Sequence, residues 1–217
     1  MGLTRDRIVR AAVELIERDG PDALSMRAVA GLLGVAVMSL YNHVPNKAAL
    51  LEGVAAHVVA GMDLDGMDLD GEPDEDWRAR ARTLVRAFRK VAHDYPRCMT
   101  VVLTHEIDTQ EAVRPVERAL ELADAAGFDG ATSVRIMRAL LAYALGAQVR
   151  EIGAVKWLHH VANTDAYGRL DPERFPHTVA LGPELAKQDP EADFEFGLDL
   201  LIQAVDALPR RPPGDTG

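Results

Sequence analysis

Apolar positions recur with the period of an α-helix along most of the chain. From Thr4 to Asp19 the residues Ile8, Ala11, Ala12, Leu15 and Ile16 share one face, charges occupy the other, and Gly20-Pro21 ends the run. Ser25 reads as the N-cap of a second segment, in which Val29, Ala30, Leu32 and Leu33 give a small apolar face. Gly34 follows, where a helix end favours a residue that can take positive φ. A third, short segment spans about Val37 to His43 and stops near Pro45. Asn46 then caps a helix running through Leu50, Leu51, Val54, Val58 and Val59 to about Met62. Further on, Trp77–Tyr95 is amphipathic, with Ala81, Leu84, Val85 and Phe88 inward and Arg78, Arg80, Arg82, Arg86, Arg89 and Lys90 outward. Arg97–His105 is rich in β-branched residues but has no second strand-like run to pair with, so a short buried helix is expected. Glu111–Ala126 points Val113, Val116, Leu120 and Ala123 inward. Thr132–Val155 carries a stripe of Val134, Met137, Leu141, Leu145 and Ile152, and Phe194–Leu208 one of Phe194, Gly197, Leu201, Ala204, Val205 and Leu208. Between the last two lies a connection from Asn163 to Pro190 with a short helix expected within Phe175–Leu181. The Pro-rich tail is expected to be disordered. The pattern predicts an all-α fold.

Composition narrows the classes. The chain has 217 residues, 48% of them hydrophobic, enough for one or two domains with a sizeable core. No apolar run approaches the length of a membrane span, and the start, MGLTRDRIV, has no apolar signal region, so a cytoplasmic protein without membrane partners is expected. The lone Cys98 excludes an internal disulfide. Net charge is −10, which argues against indiscriminate nucleic-acid binding. Residues 1–47 hold six basic and five acidic side chains, so that segment is +1 and the remainder −11. Residues 63–76 carry eight acidic groups and no basic one, with MDLDG repeated in tandem from Met62. The EF-hand spacing is missing, and a solvated interdomain loop is the expectation.

Catalytic signatures are missing too: there is no phosphate-binding loop, G-x-S-x-G, H-E-x-x-H or C-x-x-C. No histidine has a Glu three residues before it, as a helical di-iron site would need, and the adjacent His159 and His160 would splay on a helix. Neither an enzyme nor a metal or other cofactor is expected.

Residues 25–47 give a helix, a short glycine turn and a second helix, the layout of a DNA-binding helix-turn-helix. Its second helix would enter the major groove, presenting Val37, Met38, Ser39, Tyr41, Asn42 and His43. Tyr41 and His43 can donate to phosphate oxygens, and Ser39 can serve base or backbone. Val37 and Met38 cannot hydrogen-bond a base edge but can pack on thymine methyls. The competing reading is that Leu40 and Val44 are core and Tyr41 merely packs.

Leu24, Ser25, Arg27, Val29, Ala30, Leu33, Gly34 and Val35, then Leu40, Tyr41, His43, Val44, Asn46, Lys47, Leu50 and Leu51, stand at fixed spacing near the N-terminus. Over residues 4 to about 60 the chain thereby resembles the N-terminal domain of TetR-family transcriptional repressors. The resemblance implies a helix-turn-helix DNA-binding domain over 1–62 and a C-terminal ligand-binding and dimerisation domain over 77–208. It implies that Arg27 and Lys47 neutralise backbone phosphates. The DNA-binding set is then Ser25, Arg27, Val37, Met38, Ser39, Tyr41, His43 and Lys47, acting on double-stranded operator DNA.

Trp77, Phe88, Tyr95 and the run FEFGLDLL suggest the tetracycline-repressor branch. There Phe88 matches a pocket aromatic, Leu84 replaces an Asn, and Val102 replaces the His that holds the drug's magnesium, which argues against a metal–tetracycline ligand. By analogy the pocket walls are Leu84, Phe88, Val102, Leu103, His105, Val134, Met137 and Leu141, enclosing an apolar or amphipathic effector. The alternative is that each is ordinary core. The two late helices suit an isologous four-helix interface, so a homodimer is expected, its two heads about one helical turn (~34 Å) apart on a palindrome. Two other functions stay open: a DNA binder without a ligand, distinguished by DNA affinity that no ligand changes, and a helical enzyme or carrier with a vestigial head, distinguished by absence of sequence-specific binding.

Overall fold

The computed structural model describes residues 2–62, 64, 77–105, 110–151, 170–187 and 189–211, with the side chains of residues 111 and 112 excepted; among them are eleven α-helices and no strand. The tandem acidic repeat apart from Met62 and Leu64, together with Ile152, His159, His160 and the tail beyond residue 211, lies outside the described residues.

The described residues divide into two compact units, Met1–Met137 with Arg210–Gly217, and Arg138–Pro209.

In the first unit, helix α1 (Arg5–Asp19) starts where the Thr4 hydroxyl accepts from the Arg7 N–H at 3.2 Å. It ends at Gly20, whose φ of +91° only a glycine takes readily and whose N–H donates to the Ile16 carbonyl. A single 3₁₀ turn, Pro21–Ala23, leads to α2 (Met26–Leu33), α3 (Val37–Tyr41) and α4 (Lys47–Ala60). Ile8, Ala12 and Ile16 of α1 are fully buried, and so are Leu40, Val44, Leu50, Val54 and Val58. α4 crosses α1 closely at Gly53, where a Cβ would come within 2.7 Å of Val9 Cγ2. Three further helices belong here: α5 (Trp77–Asp94), α6 (Pro96–Thr104) and α7 (Gln110–Ala125). α6 packs on both α1 and α4, and its Cys98 and Val101 are fully buried in the same core.

α1 and α6 also cap one another. The Glu17 carboxylate accepts from the backbone N–H groups of Arg97 (3.3 Å) and Cys98 (2.7 Å), in the first turn of α6. In return the Arg97 guanidinium donates to the Arg18 carbonyl in the last turn of α1, at 2.5 Å. Each helix end thus satisfies polar groups that the other leaves without an intrahelical partner. The end of the chain returns to this unit as well. Arg211 donates from its backbone to the Gly127 carbonyl and pairs with Asp124, while the Arg210 guanidinium lies 3.7 Å from the centre of the Phe128 ring.

Helix α8 (Gly130–Glu151) leads from the first unit into the second, which also contains α9 (Pro176–Ala180), α10 (Gly182–Leu185) and α11 (Pro190–Asp206). Within the second unit Tyr143 of α8 stacks on Phe194 of α11 and donates its hydroxyl to the Phe194 carbonyl at 2.7 Å. Any Cβ at residue 197 would overlap that hydroxyl, so Gly197 lets the two helices meet.

Several inward faces differ from the periodicity. Leu32 of α2 is exposed. On α5, Arg80 is buried and Arg78, Arg82 and Arg89 are half-buried rather than exposed. On α7, Val113 and Val116 are exposed and burial falls on Leu122 and Ala123 near its end. On α8 the buried stripe is Ser133, Ile136, Leu140, Ala144 and Ala147, one position before the stripe expected. On α11 it is Phe194, Leu198, Ile202 and Val205, with Ala204 and Leu208 exposed. On α8 and α11 both adjoining rows are largely apolar, so a period of 3.6 does not select between them.

Candidate nucleic-acid interface

The turn between α2 and α3 is built from backbone hydrogen bonds. Gly34 ends α2 in the left-handed region (φ +67°, ψ +33°). Its N–H donates to the Gly31 carbonyl at 3.2 Å, and the Val35 N–H reaches back to the Ala30 carbonyl at 3.0 Å. This paired closure is the Schellman arrangement, and it needs a residue without a Cβ penalty at positive φ. At the other end of α2 the Ser25 hydroxyl accepts from the Ala28 N–H at 3.1 Å. The side chain is exposed, and its own hydrogen remains available to an outside acceptor. Asn46 caps α4 in the same manner, accepting from the Ala49 N–H at 2.8 Å, and so fixes Lys47 at the first position of that helix.

α3 is held from beneath by Leu40, its one fully buried side chain, and by Val44 just beyond it. His43 and Val44 both donate their backbone N–H to the Leu40 carbonyl, which turns the chain out of the helix at Tyr41 rather than at His43. The remaining side chains are exposed or half-buried. Arg27, Met38, Tyr41, Asn42, His43 and Lys47 are exposed, and Val37 and Ser39 are half-buried, with Val37 packed on the core. Of the eight residues expected to face DNA, Ser25 caps α2, Arg27 lies on α2, Val37, Met38, Ser39 and Tyr41 lie on α3, His43 follows α3 in the turn, and Lys47 opens α4; none is fully buried. The cations of α1 are partly engaged elsewhere: Arg10 pairs with Asp6 at 2.6 Å and Arg18 with Asp19 at 2.7 Å.

The residues expected to wall an effector pocket are less uniform. Leu84 is buried, and Phe88 and Val102 are half-buried against the same core, as neighbours from α5 and α6. Val134 and Met137 of α8 are half-buried. Leu103, 51% exposed, and His105 do not turn inward. Both lie at the C-terminal end of α6, where the inward positions fall on Cys98, Met99 and Val101, and the His105 Nδ1 sits 3.1 Å from the Thr104 hydroxyl. Leu141 is exposed and belongs to the second unit. The bonds joining Glu17 to α6 were not foreseeable, since the partners stand 80 residues apart and no local pattern marks them. Among the described residues no cluster of three or more His, Cys, Asp or Glu could hold a metal, and no helix is long and apolar enough to cross a membrane.

Known proteins share this arrangement. The family model described as "Bacterial regulatory proteins, tetR family" matches residues 8–54, and that described as "Tetracyclin repressor-like, C-terminal domain" matches residues 70–208. The HTH-type transcriptional repressor DrrR1 of Streptomyces coeruleorubidus is 28% identical over 99% of this chain and 81% of its own length. The class D tetracycline repressor protein of Escherichia coli is 28% identical over 94% of this chain and 89% of its own. The solved structure of SCO7222, described as a TetR transcriptional regulator from Streptomyces coelicolor, superposes with a TM-score of 0.78 at 26% identity, covering 96% of this chain and all of that one (100%). With a helix-turn-helix held by Gly34 and Leu40, and family models spanning the head and most of the body, the chain belongs to the TetR family of bacterial transcriptional regulators.

Proposed function

We propose that this regulator is a repressor that binds a palindromic operator as a homodimer and leaves it when the body takes up a small apolar or amphipathic molecule. The observation that carries the reading is the exposed set around α3: Arg27, Tyr41, His43 and Lys47 offer donors on a surface whose underside is anchored by Leu40 and Val44. Arg27 and Lys47 serve phosphates and set the register; Tyr41, His43, Ser25 and Ser39 add hydrogen bonds, with Val37 and Met38 beside them.

Dimerisation is supported by α11. Its exposed side carries Phe196 (69% exposed) and Leu200 (53%), four residues apart and so on one stripe, opposite in role to the buried stripe of Phe194 and Leu198. A second copy of the same helix would cover that stripe isologously. For the effector, Leu84, Phe88, Val102, Val134 and Met137 are buried or half-buried apolar side chains that the resemblance to the tetracycline-repressor branch implies as chamber walls. Leaving DNA requires the ligand to favour one of two head spacings.

The test is fluorescence anisotropy of the purified protein on DNA flanking its own gene, against scrambled DNA at physiological salt. Preference by a factor of about 10³ is expected, the usual ratio of specific to non-specific binding. In the same titrations Lys47→Ala should weaken every duplex about equally and reduce the salt slope by about one, as a lost phosphate contact does. Equal affinity for all duplexes at all salt concentrations, together with failure to enrich any sequence from a random library, refutes the reading.

A further inference from the structure

We propose that base discrimination by this head rests mainly on the 5-methyl group of a thymine seated against Met38. The inference rests on α3 entering the major groove and says what that helix reads there.

The residues of a recognition helix that reach base edges are those of its first turn. Here they are Ala36, Val37, Met38 and Ser39. The first three have no side-chain donor or acceptor able to pair with a base edge. Ser39, the one polar member, is half-buried, and Val37 is half-buried with its side chain against the core. Met38 alone stands out, at 73% exposure, above every other exposed large hydrophobic side chain among the described residues. An apolar side chain so placed has one partner of its own kind in the major groove, the C5-methyl of thymine, which cytosine and guanine edges lack. A thioether side chain is unbranched and polarisable, and it can settle on such a methyl from more than one angle.

The surrounding residues favour DNA over a protein as the occupant. Arg27, Tyr41, His43 and Lys47 are all exposed on the same three-helix segment as the methionine, and all four carry hydrogen-bond donors, two of them on cationic side chains. Phosphate contacts from that rim fix register and carry no base information. The base information is left to shape, to the half-buried Ser39 hydroxyl and above all to the methyl.

The experiment starts from duplexes enriched by the full-length protein from a random library. In the tightest duplex each thymine is replaced singly by deoxyuridine, which removes the methyl and keeps every hydrogen-bonding group. One position in each half-site should lose affinity about three- to tenfold, the scale of one buried methyl. Met38→Ala should bind the parent duplex more weakly and show no sensitivity at that position. Lys47→Ala should bind all duplexes more weakly and keep the sensitivity. An enriched duplex indifferent to every deoxyuridine, or a sensitivity that survives in Met38→Ala, overturns the methyl readout alone. No enriched sequence at all overturns the DNA reading and this inference with it.

Discussion

Cys98 has no exposed surface, and its Sγ lies 3.8 Å from the Val13 carbonyl oxygen where the first turn of α6 meets α1. Burial, then the nearby Glu17 carboxylate, pushes its thiol well above the ordinary range. The neutral form is therefore the one the fold favours. Its stabilising effect is full below the ordinary thiol range and is lost only as pH rises above it. The native protein at pH 8 should resist iodoacetamide, while in denaturing urea the thiol should react fully; mass spectrometry of the two samples checks this, and rapid native labelling would contradict the burial. At this scale the sequence was legible wherever a residue needs only its neighbours. Ser25, Gly34 and Asn46 each act within three or four positions, and all three cap as expected. Arg80 was not legible, because an arginine on an amphipathic helix reads as solvent-facing and its burial is set by tertiary packing rather than by its neighbours in sequence.

Among elements, the mutual capping of α1 and α6 is the link that gives the head its neighbour. Glu17 supplies a charged acceptor to two amides that α6 cannot satisfy itself, since the first four N–H groups of a helix lack internal partners. Glu17→Ala should lower stability by about 1–2 kcal/mol, the scale of losing a charge-assisted cap, read as a shifted urea midpoint. Glu17→Gln, which keeps one acceptor, should fall between the two; a wild-type midpoint for Glu17→Ala would deny the cap any role. The helices themselves were legible: the run Arg97–His105 forms a helix over Pro96–Thr104, and a short helix does occupy Pro176–Ala180. Their facing was less so. Val134, Met137 and Leu141 are as apolar as Ile136, Leu140 and Ala144, and only tertiary packing decides which row goes inside.

For the whole molecule, the exposed row on α11 makes the oligomeric state testable. Leu200→Glu would set like charges against each other in an isologous contact, so sedimentation velocity should show the variant as a monomer where the wild type is a dimer. Its operator affinity should fall accordingly, since half a palindrome gives up one head's contacts. A dimeric Leu200→Glu would place the interface elsewhere. Family membership was legible because the helix-turn-helix condenses many fixed spacings into about forty residues. The pocket expectation has no such signature, because an apolar chamber and an apolar core draw on the same side chains; of its eight residues Leu103, His105 and Leu141 are exposed. The capping of α1 by α6 also bears on how parts can be exchanged between regulators. A chimera cut near residue 62 would carry Glu17 away from its amides and bring in a foreign α6 whose first turn was never shaped for it. A seam placed after Thr104 keeps donor and acceptor in one piece.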